Sequence, residues 1–162
     1  MKGLPVAAAV AVFLAVAVVA AGAASSQARL AGTAAGCSAR AAKALVREFA
    51  ADYSRGRLAR ADRLWAPAGR FQWYSTGGAG RRLGAAAEDR ATLASYLRGR
   101  AGRHERIRIT KLTAISDAER NLVHFSGTLQ RTADDIPQRP PQDFKGAADC
   151  VSGRPLLIVW SM

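Results

Sequence analysis

Residues 42–75 of the 162-residue chain, AKALVREFAADYSRGRLARADRLWAPAGRFQWYS, decide the fold prediction. The first half of this stretch carries apolar side chains at helical spacing, which would share one face of a helix: Leu45, Val46, Phe49 and Tyr53. Gly56 follows them, and a glycine at this place can take the left-handed conformation that closes a helix. The pattern therefore predicts a long amphipathic helix that ends near Gly56.

The second half of the stretch predicts a short helix and then a strand. Apolar residues share one face from about Leu58 to Trp65, and Pro67 stops this helix because proline disfavours a helical residue before it. The aromatic sequence FQWY at residues 71–74 then begins a strand. Since successive strand residues point to opposite faces, we expect one of Trp73 and Tyr74 to face the interior and the other the outside.

A helix that ends in DYSRGRLARADRLWAP, followed at once by an aromatic strand, resembles the nuclear transport factor 2-like superfamily, which includes ketosteroid isomerase and the polyketide cyclases. The resemblance covers residues 37–162. It implies an α+β cone in which three helices pack into a curved, mostly antiparallel sheet around a pocket, and it implies a homodimer formed through the outer face of that sheet. This fold carries many unrelated functions, so it does not fix the chemistry.

The rest of the chain has an element order that is typical of the α+β class. Asp89 is the predicted N-cap of a third helix, and the following segments are predicted as strands: residues 105–115, 122–131, 144–151 and 156–160. Leu112 is an apolar residue on the wrong parity of its strand, which indicates a β-bulge near Lys111. Such a bulge would bend the sheet.

The amino terminus predicts export. Lys2 precedes an apolar run from Leu4 to Ala24, and small residues two apart end at Ala28, so residues 1–28 are predicted to be a signal peptide and residues 29–36 a flexible tether. The mature protein would then be secreted, periplasmic or held at the cell surface. Two alternatives stay open: an uncleaved membrane anchor formed by residues 4–24, and a lipoprotein whose modified cysteine is Cys37.

Two cysteines and a high positive charge limit the partners of the mature chain. In an exported protein Cys37 and Cys150 are most simply one disulfide, and without histidines at ligand spacing they predict no metal site. The formal net charge is +12, but arginines are spread along the whole chain without a basic block, so we expect no specific nucleic-acid partner. Membrane contact is expected only through an uncleaved leader, and no cofactor is predicted.

Three residues are candidates for acid–base chemistry. His124 lies on the polar face of a middle strand, and from there it would point into the cone and exchange protons near neutral pH. Asp143 and Asp149 lie in the last hairpin, where either would orient such a histidine. The alternative for each residue is a structural or solvent-facing role.

The prediction for function is an exported, non-catalytic domain that binds a small apolar or amphipathic molecule or a protein partner. The predicted pocket residues are Phe49, Trp65, Trp73, Tyr74, Tyr96 and His124. If the resemblance to ketosteroid isomerase is anchored on Gly56 and Trp65, the oxyanion-binding tyrosine falls on Phe49 and the general base on Trp73, and neither can do that chemistry. The alternative is an isomerase, cyclase or hydratase that uses His124 with Asp143 or Asp149.

Overall fold

The computed structural model describes residues 37–76, 85–136, 140–150 and 153–162, with only the backbone for residues 85 and 86. All of them belong to one compact unit, Thr33–Met162, and the predicted leader and tether lie outside the described residues. Within these ranges the chain forms three helices, α1 (Ala39–Ser54), α2 (Leu58–Asp62) and α3 (Arg90–Ala101). It also forms six strands: β1 (Trp73–Ser75), β2 (Ala85–Ala87), β3 (Arg106–Asp117), β4 (Leu122–Thr132), β5 (Gln142–Asp149) and β6 (Leu156–Ser161).

The first helix is capped at its start and ends where the sequence predicts. The Ser38 hydroxyl accepts a hydrogen bond from the Ala41 backbone N–H at 3.2 Å, which satisfies one of the free donors at the start of α1. Gly56 has a φ of +70°, the left-handed conformation expected just after the helix. The predicted apolar stripe is buried throughout: Leu45, Val46, Phe49 and Tyr53.

The second helix is shorter than predicted, because the sheet competes for its last residues. Trp65 forms a parallel bridge with Leu157. The Leu157 N–H donates to the Leu64 carbonyl at 2.8 Å, and the Ala66 N–H donates to the Leu157 carbonyl at 2.8 Å. The Leu64 and Trp65 N–H groups still donate to Ala61 and Asp62 in tight turns, but the Leu64 carbonyl and the Ala66 N–H are bonded to β6, so the regular helix ends at Asp62.

The strands form a single sheet in the order β2-β1-β6-β5-β4-β3. β1 runs parallel to β6, and all other neighbouring pairs are antiparallel. The pairing of β3 with β4 shifts register between Ile109 and Lys111, which confirms the predicted bulge. Further shifts occur in β1 and between Ala147 and Ala148, and such bulges increase the bend and twist of a sheet.

The three helices cover one face of the sheet, which we call the inner face. The core between them is rich in aromatic side chains, including Phe49, Trp65, Tyr74, Phe125 and Trp160. The opposite face, which we call the outer face, carries a smaller apolar cluster of Ala66, Ala147 and Ile158, with Leu122, Leu156 and Val159 packed beside it. The fold is therefore α+β, with the main core inside the curved sheet.

A disulfide joins Cys37 to Cys150 over a Cα–Cα distance of 5.6 Å, which confirms the predicted pair. It ties the start of α1 to the end of β5. In the part of the chain that the structure describes, none of the helices is both long enough and apolar enough to cross a membrane.

Candidate functional site

Four of the predicted pocket residues meet on the inner face. The Phe49 ring lies edge-on to Trp65 with ring centres 5.4 Å apart, Tyr74 packs against the other side of Trp65 at 5.8 Å, and Tyr96 lies 5.4 Å from Tyr74. Trp160 of β6 completes the group at 5.3 Å from Phe49. Residues from α1, α3 and two strands thus form one aromatic cluster.

This cluster contains polar atoms that have no hydrogen-bond partner among the described residues. They are the hydroxyl groups of Tyr53 and Tyr74 and the indole N–H groups of Trp65 and Trp160. Tyr53 and Tyr74 are each only 1% exposed. Leaving one such group buried and unsatisfied costs about 1–3 kcal/mol, so a set of four in one interior is unusual.

A buried ion network borders the cluster. The Glu105 side chain is fully buried, and both of its oxygens accept hydrogen bonds from Arg131, from Nε at 2.9 Å and from Nη2 at 2.8 Å. Arg100 Nε also donates to Glu105, while its two terminal nitrogens bind Asp135 at 2.7 and 2.8 Å. A carboxylate held by two arginines is neutralised and fully bonded, which makes its burial tolerable.

Arg131 connects this network to the aromatic cluster. Its Nη2 donates to the Tyr96 hydroxyl at 3.0 Å, and that hydroxyl also forms a hydrogen bond of 2.8 Å with the Thr76 hydroxyl. Burial lowers the pKa of Arg131, but hydrogen bonding to Glu105 and the charge of Glu105 outweigh it and raise the pKa. Arg131 is therefore a permanent cation beside the phenols.

The pKa values of the two unpartnered phenols are raised. Burial is the largest cause for both. For Tyr53 the charge of nearby Glu105 comes next, although the two groups do not reach hydrogen-bonding geometry. For Tyr74 the second cause is Tyr53 itself. Both phenols keep their protons at neutral pH and can act only as neutral hydrogen-bond partners there.

The sequence contained a signal for the ion network that the pattern analysis missed. Glu105 directly precedes β3 and has the same parity as buried Ile107, and Arg131 has the same parity on β4 as buried Leu129. A charged residue in line with an apolar strand face is either at the rim or paired in the interior. Here the register that sets Arg131 opposite Ile107 brings the two charges together.

The prediction that His124 points into the cone is wrong. Val123 and Phe125, its neighbours on β4, are buried on the inner face, while the His124 side chain is 54% exposed on the outer face. Because neighbours on a strand point to opposite faces, the apolar pair had to take the interior. The nearest carboxylate to His124 is that of Asp117, with Nε2 and Oδ2 3.9 Å apart.

Neither aspartate of the last hairpin forms the expected dyad with His124. His124 lies opposite Ala147, whereas Asp143 lies opposite Thr128 and Asp149 opposite Leu122. Asp143 is exposed. Asp149 is buried and forms an ion pair with Arg70. The pairing register thus separates the three residues along the sheet.

Trp73 lies apart from the other predicted pocket residues. It lines an open groove on the outer face together with His124, while Tyr74 enters the core, as the strand alternation predicts. The six predicted pocket residues therefore divide between two faces of one sheet.

Among the described residues, no group of three or more His, Cys, Asp or Glu side chains is arranged to hold a metal ion.

Comparison with known proteins identifies the fold. No protein-family model matches the sequence, and no curated protein matches it. A protein of unknown function with a cystatin-like fold from Nostoc punctiforme has a TM-score of 0.56 and 10% identity, over 74% of this chain and 84% of its own.

Two further solved structures are similar to a comparable degree. A nuclear transport factor 2-like protein from Burkholderia xenovorans has a TM-score of 0.51 and 16% identity, over 78% of this chain and 90% of its own. A protein named as a candidate scytalone dehydratase from Novosphingobium aromaticivorans has a TM-score of 0.55 and 12% identity, over 75% of this chain and 80% of its own. At such identities the likeness establishes a shared fold and nothing about chemistry.

Proposed function

We propose that this chain, which has the nuclear transport factor 2-like fold, is an exported binding protein that holds a small, largely apolar molecule inside the cone. The observation that carries the proposal is the set of buried donors without partners in the aromatic cluster. A ligand with an apolar body and one or more hydrogen-bond acceptors would satisfy these donors and stack against the rings around them.

The hydrogen-bonding character of the unpartnered groups indicates which chemical groups the ligand should carry. Indole N–H groups are donors only, and the two phenols are protonated, so all four groups offer a proton. A carbonyl or ether oxygen accepts such bonds. A ligand that has only donors would leave the two indole N–H groups unsatisfied, although the phenol oxygens could accept from it, so we expect the site to prefer a ligand with acceptors.

The described interior favours binding over acid–base catalysis. Each buried carboxylate among the described residues has arginine partners: Asp52 pairs with Arg57 and Arg60, Asp149 with Arg70, and Glu105 with Arg100 and Arg131. The charges of these carboxylates are already engaged in ion pairs with arginine, which is typical of structural carboxylates in a protein interior. No described imidazole enters the cluster, because His104 and His124 are both exposed.

Export is the second part of the proposal, and it rests on the leader sequence and the disulfide. Disulfides persist in oxidising compartments, so the Cys37–Cys150 bond fits a protein outside the cytoplasm. Amino-terminal sequencing of the protein from its native host should find a chain that begins at Arg29 or within a few residues of it. An intact Met1 in the membrane fraction would show that the leader is not cleaved and serves as a membrane anchor.

A matched pair of ligands tests the interior site. Acetophenone and ethylbenzene have similar shapes, but only the ketone has a hydrogen-bond acceptor. In NMR titrations of the purified protein, acetophenone should bind about 3- to 10-fold more tightly than ethylbenzene, the worth of one neutral hydrogen bond. Tyr74→Phe removes one of the four donors, so it should reduce this preference and leave the affinity for ethylbenzene unchanged.

Tyr96→Phe is the matched control, because the Tyr96 hydroxyl already bonds to Arg131 and Thr76 and is not a free donor. The ketone preference should survive in that variant. If neither compound shifts resonances of the aromatic cluster, or if the preference is the same in the Tyr53→Phe, Tyr74→Phe double variant, the interior is a filled core and the proposal is wrong.

A further inference from the structure

The open groove on the outer face is separate from the aromatic cluster of the interior. Its volume is about 440 Å³, which lies in the range of about 300–1,000 Å³ that small-molecule sites occupy. Its lining includes Ile158 and Val159 of β6, Trp73 of β1 and Ile115 of β3. Ile115 is 74% exposed, an unusual state for a large aliphatic side chain beside other apolar residues.

Lys145 gives the groove a positive charge. Among the described residues the lining includes Lys145 and His124, and neither an aspartate nor a glutamate. Lys145 is exposed and makes no ion pair with a described residue. The carboxylates nearest to this pair lie outside the lining: Asp117 is 3.9 Å from the His124 ring, and Asp143 precedes Lys145 by two residues on β5.

Most of the remaining described lining is apolar, and its other polar side chains include Gln72, which is exposed, and Thr113 and Ser126. The Thr113 and Ser126 hydroxyls lie 3.1 Å apart and bond to each other, and the Thr113 hydroxyl also donates to the Ser126 carbonyl at 3.0 Å. They therefore present little unsatisfied hydrogen-bonding capacity to an occupant. A largely apolar lining beside an ammonium group that has no ion-pair partner among the described residues suits a molecule that is apolar along its length and negative at one end.

We propose that this groove is a binding site for a small amphipathic anion, such as a fatty acid or an aromatic carboxylate or sulfonate. The apolar body lies along Ile115, Ile158 and Val159, and the anionic group lies against the Lys145 ammonium. Placing a second copy groove to groove would bring two Lys145 side chains to one interface, and no carboxylate among the described lining residues would compensate them, which disfavours that occupant.

Two fluorescent probes with one skeleton test the site. Anilinonaphthalene sulfonate carries an anionic group, and N-phenyl-1-naphthylamine lacks it. The sulfonate should bind to the full protein more tightly than the neutral probe. Lys145→Gln should weaken only the sulfonate, by about three- to fivefold at low salt and less at high salt, as for other exposed charge pairs. Ile115→Ser should weaken both probes.

Lys111→Gln is the matched control, because Lys111 is an exposed lysine of the same sheet that does not line the groove. This variant has the same net charge as Lys145→Gln and should bind both probes like the parent protein. Tyr74→Phe should also leave sulfonate binding unchanged, which separates this groove from the interior site.

Three outcomes would overturn the proposal. The first is an equal loss of sulfonate binding in the two lysine variants, which would indicate adhesion to the overall positive charge. The second is unchanged sulfonate affinity in Lys145→Gln. The third is failure of the sulfonate to bind while sedimentation shows a dimer that Ile115→Ser dissociates, which would make a second copy of the chain the occupant.

Discussion

At the scale of single residues, the burial of Glu105 is the costliest feature of the described interior. Moving a lone carboxylate out of water costs several kcal/mol, and only close, well-bonded counter-charges offset it. Arg131 binds both oxygens of Glu105, and Arg100 binds one of them. Because the arginines come from α3 and β4, this single side chain fixes the position of a helix against the sheet.

The raised pKa values of Tyr53 and Tyr74 predict a loss of stability at alkaline pH. In the unfolded chain both phenols ionise near their ordinary pKa of 10.0, whereas in the folded protein they keep their protons to higher pH. The unfolded state therefore releases protons first, and stability is lost as pH rises above 10. Each phenol should contribute a slope of about 1.4 kcal/mol per pH unit to the free energy of unfolding.

Denaturant titrations between pH 9 and 11.5 would measure this slope. Tyr53→Phe and Tyr74→Phe should each reduce this slope by about 1.4 kcal/mol per pH unit, the contribution of one phenol, and the double variant should reduce it by the contribution of both phenols. An identical alkaline slope in the double variant and the parent protein would show that these phenols ionise as easily in the folded state as in the unfolded chain.

At the scale of elements, the contact between β3 and β4 depends on a glycine. Gly127 lies opposite Leu112, next to the bulge at Lys111. A Cβ at Gly127 would lie 1.9 Å from the Lys111 carbonyl oxygen and 2.8 Å from its carbon. Both atoms belong to the backbone and cannot rotate away, so the two strands approach each other closely only because residue 127 has no side chain.

Gly127→Ala should therefore lower the free energy of unfolding by about 3 kcal/mol or more, as overpacking against a fixed backbone does. Gly99→Ala is the control: a Cβ at Gly99 in α3 meets nothing within 4 Å, and alanine should stabilise that helix by about 1 kcal/mol. Chemical denaturation of both variants would measure the difference. Equal stabilities would mean that the strands can separate at the bulge without cost.

At the scale of the whole molecule, the disulfide closes nearly the full length of the domain. Cys37 and Cys150 are 113 residues apart in the sequence. On the loop-entropy account, opening a loop of this size costs about 4–5 kcal/mol, because the unfolded chain gains freedom. The bond also holds the start of α1 at the end of β5, where the helix meets the sheet.

The Cys37→Ser, Cys150→Ser double variant should accordingly be about 4 kcal/mol less stable than the oxidised protein. Its stability should match that of the parent protein under reducing conditions, which serves as the control for the serine substitutions. Thiol labelling of the denatured, unreduced parent should find no free thiol. Quantitative labelling of both cysteines in protein exported by its host would show that the bond does not form there.

The sequence by itself determined the features that depend on local chemistry. Helical spacing and caps predicted α1 and the start of α3, the misplaced parity of Leu112 predicted the bulge, and two cysteines predicted the disulfide. The resemblance carried by residues 52–67 predicted the nuclear transport factor 2-like fold, which the solved structures bear out. Each of these signals lies within a few residues or follows from a count.

Only the tertiary structure decided which side chains share a surface. The sequence showed that His124 faces away from Val123 and Phe125, but it did not show which face of the strand is interior. The helices pack on the apolar side, so His124 lies on the outer face, in the groove with Trp73. The contact between Glu105 and Arg131 also depends on tertiary structure. The two residues are 26 positions apart in the sequence, and only the strand register brings them together. Alternation along a strand is local, whereas burial and register are set by elements distant in sequence.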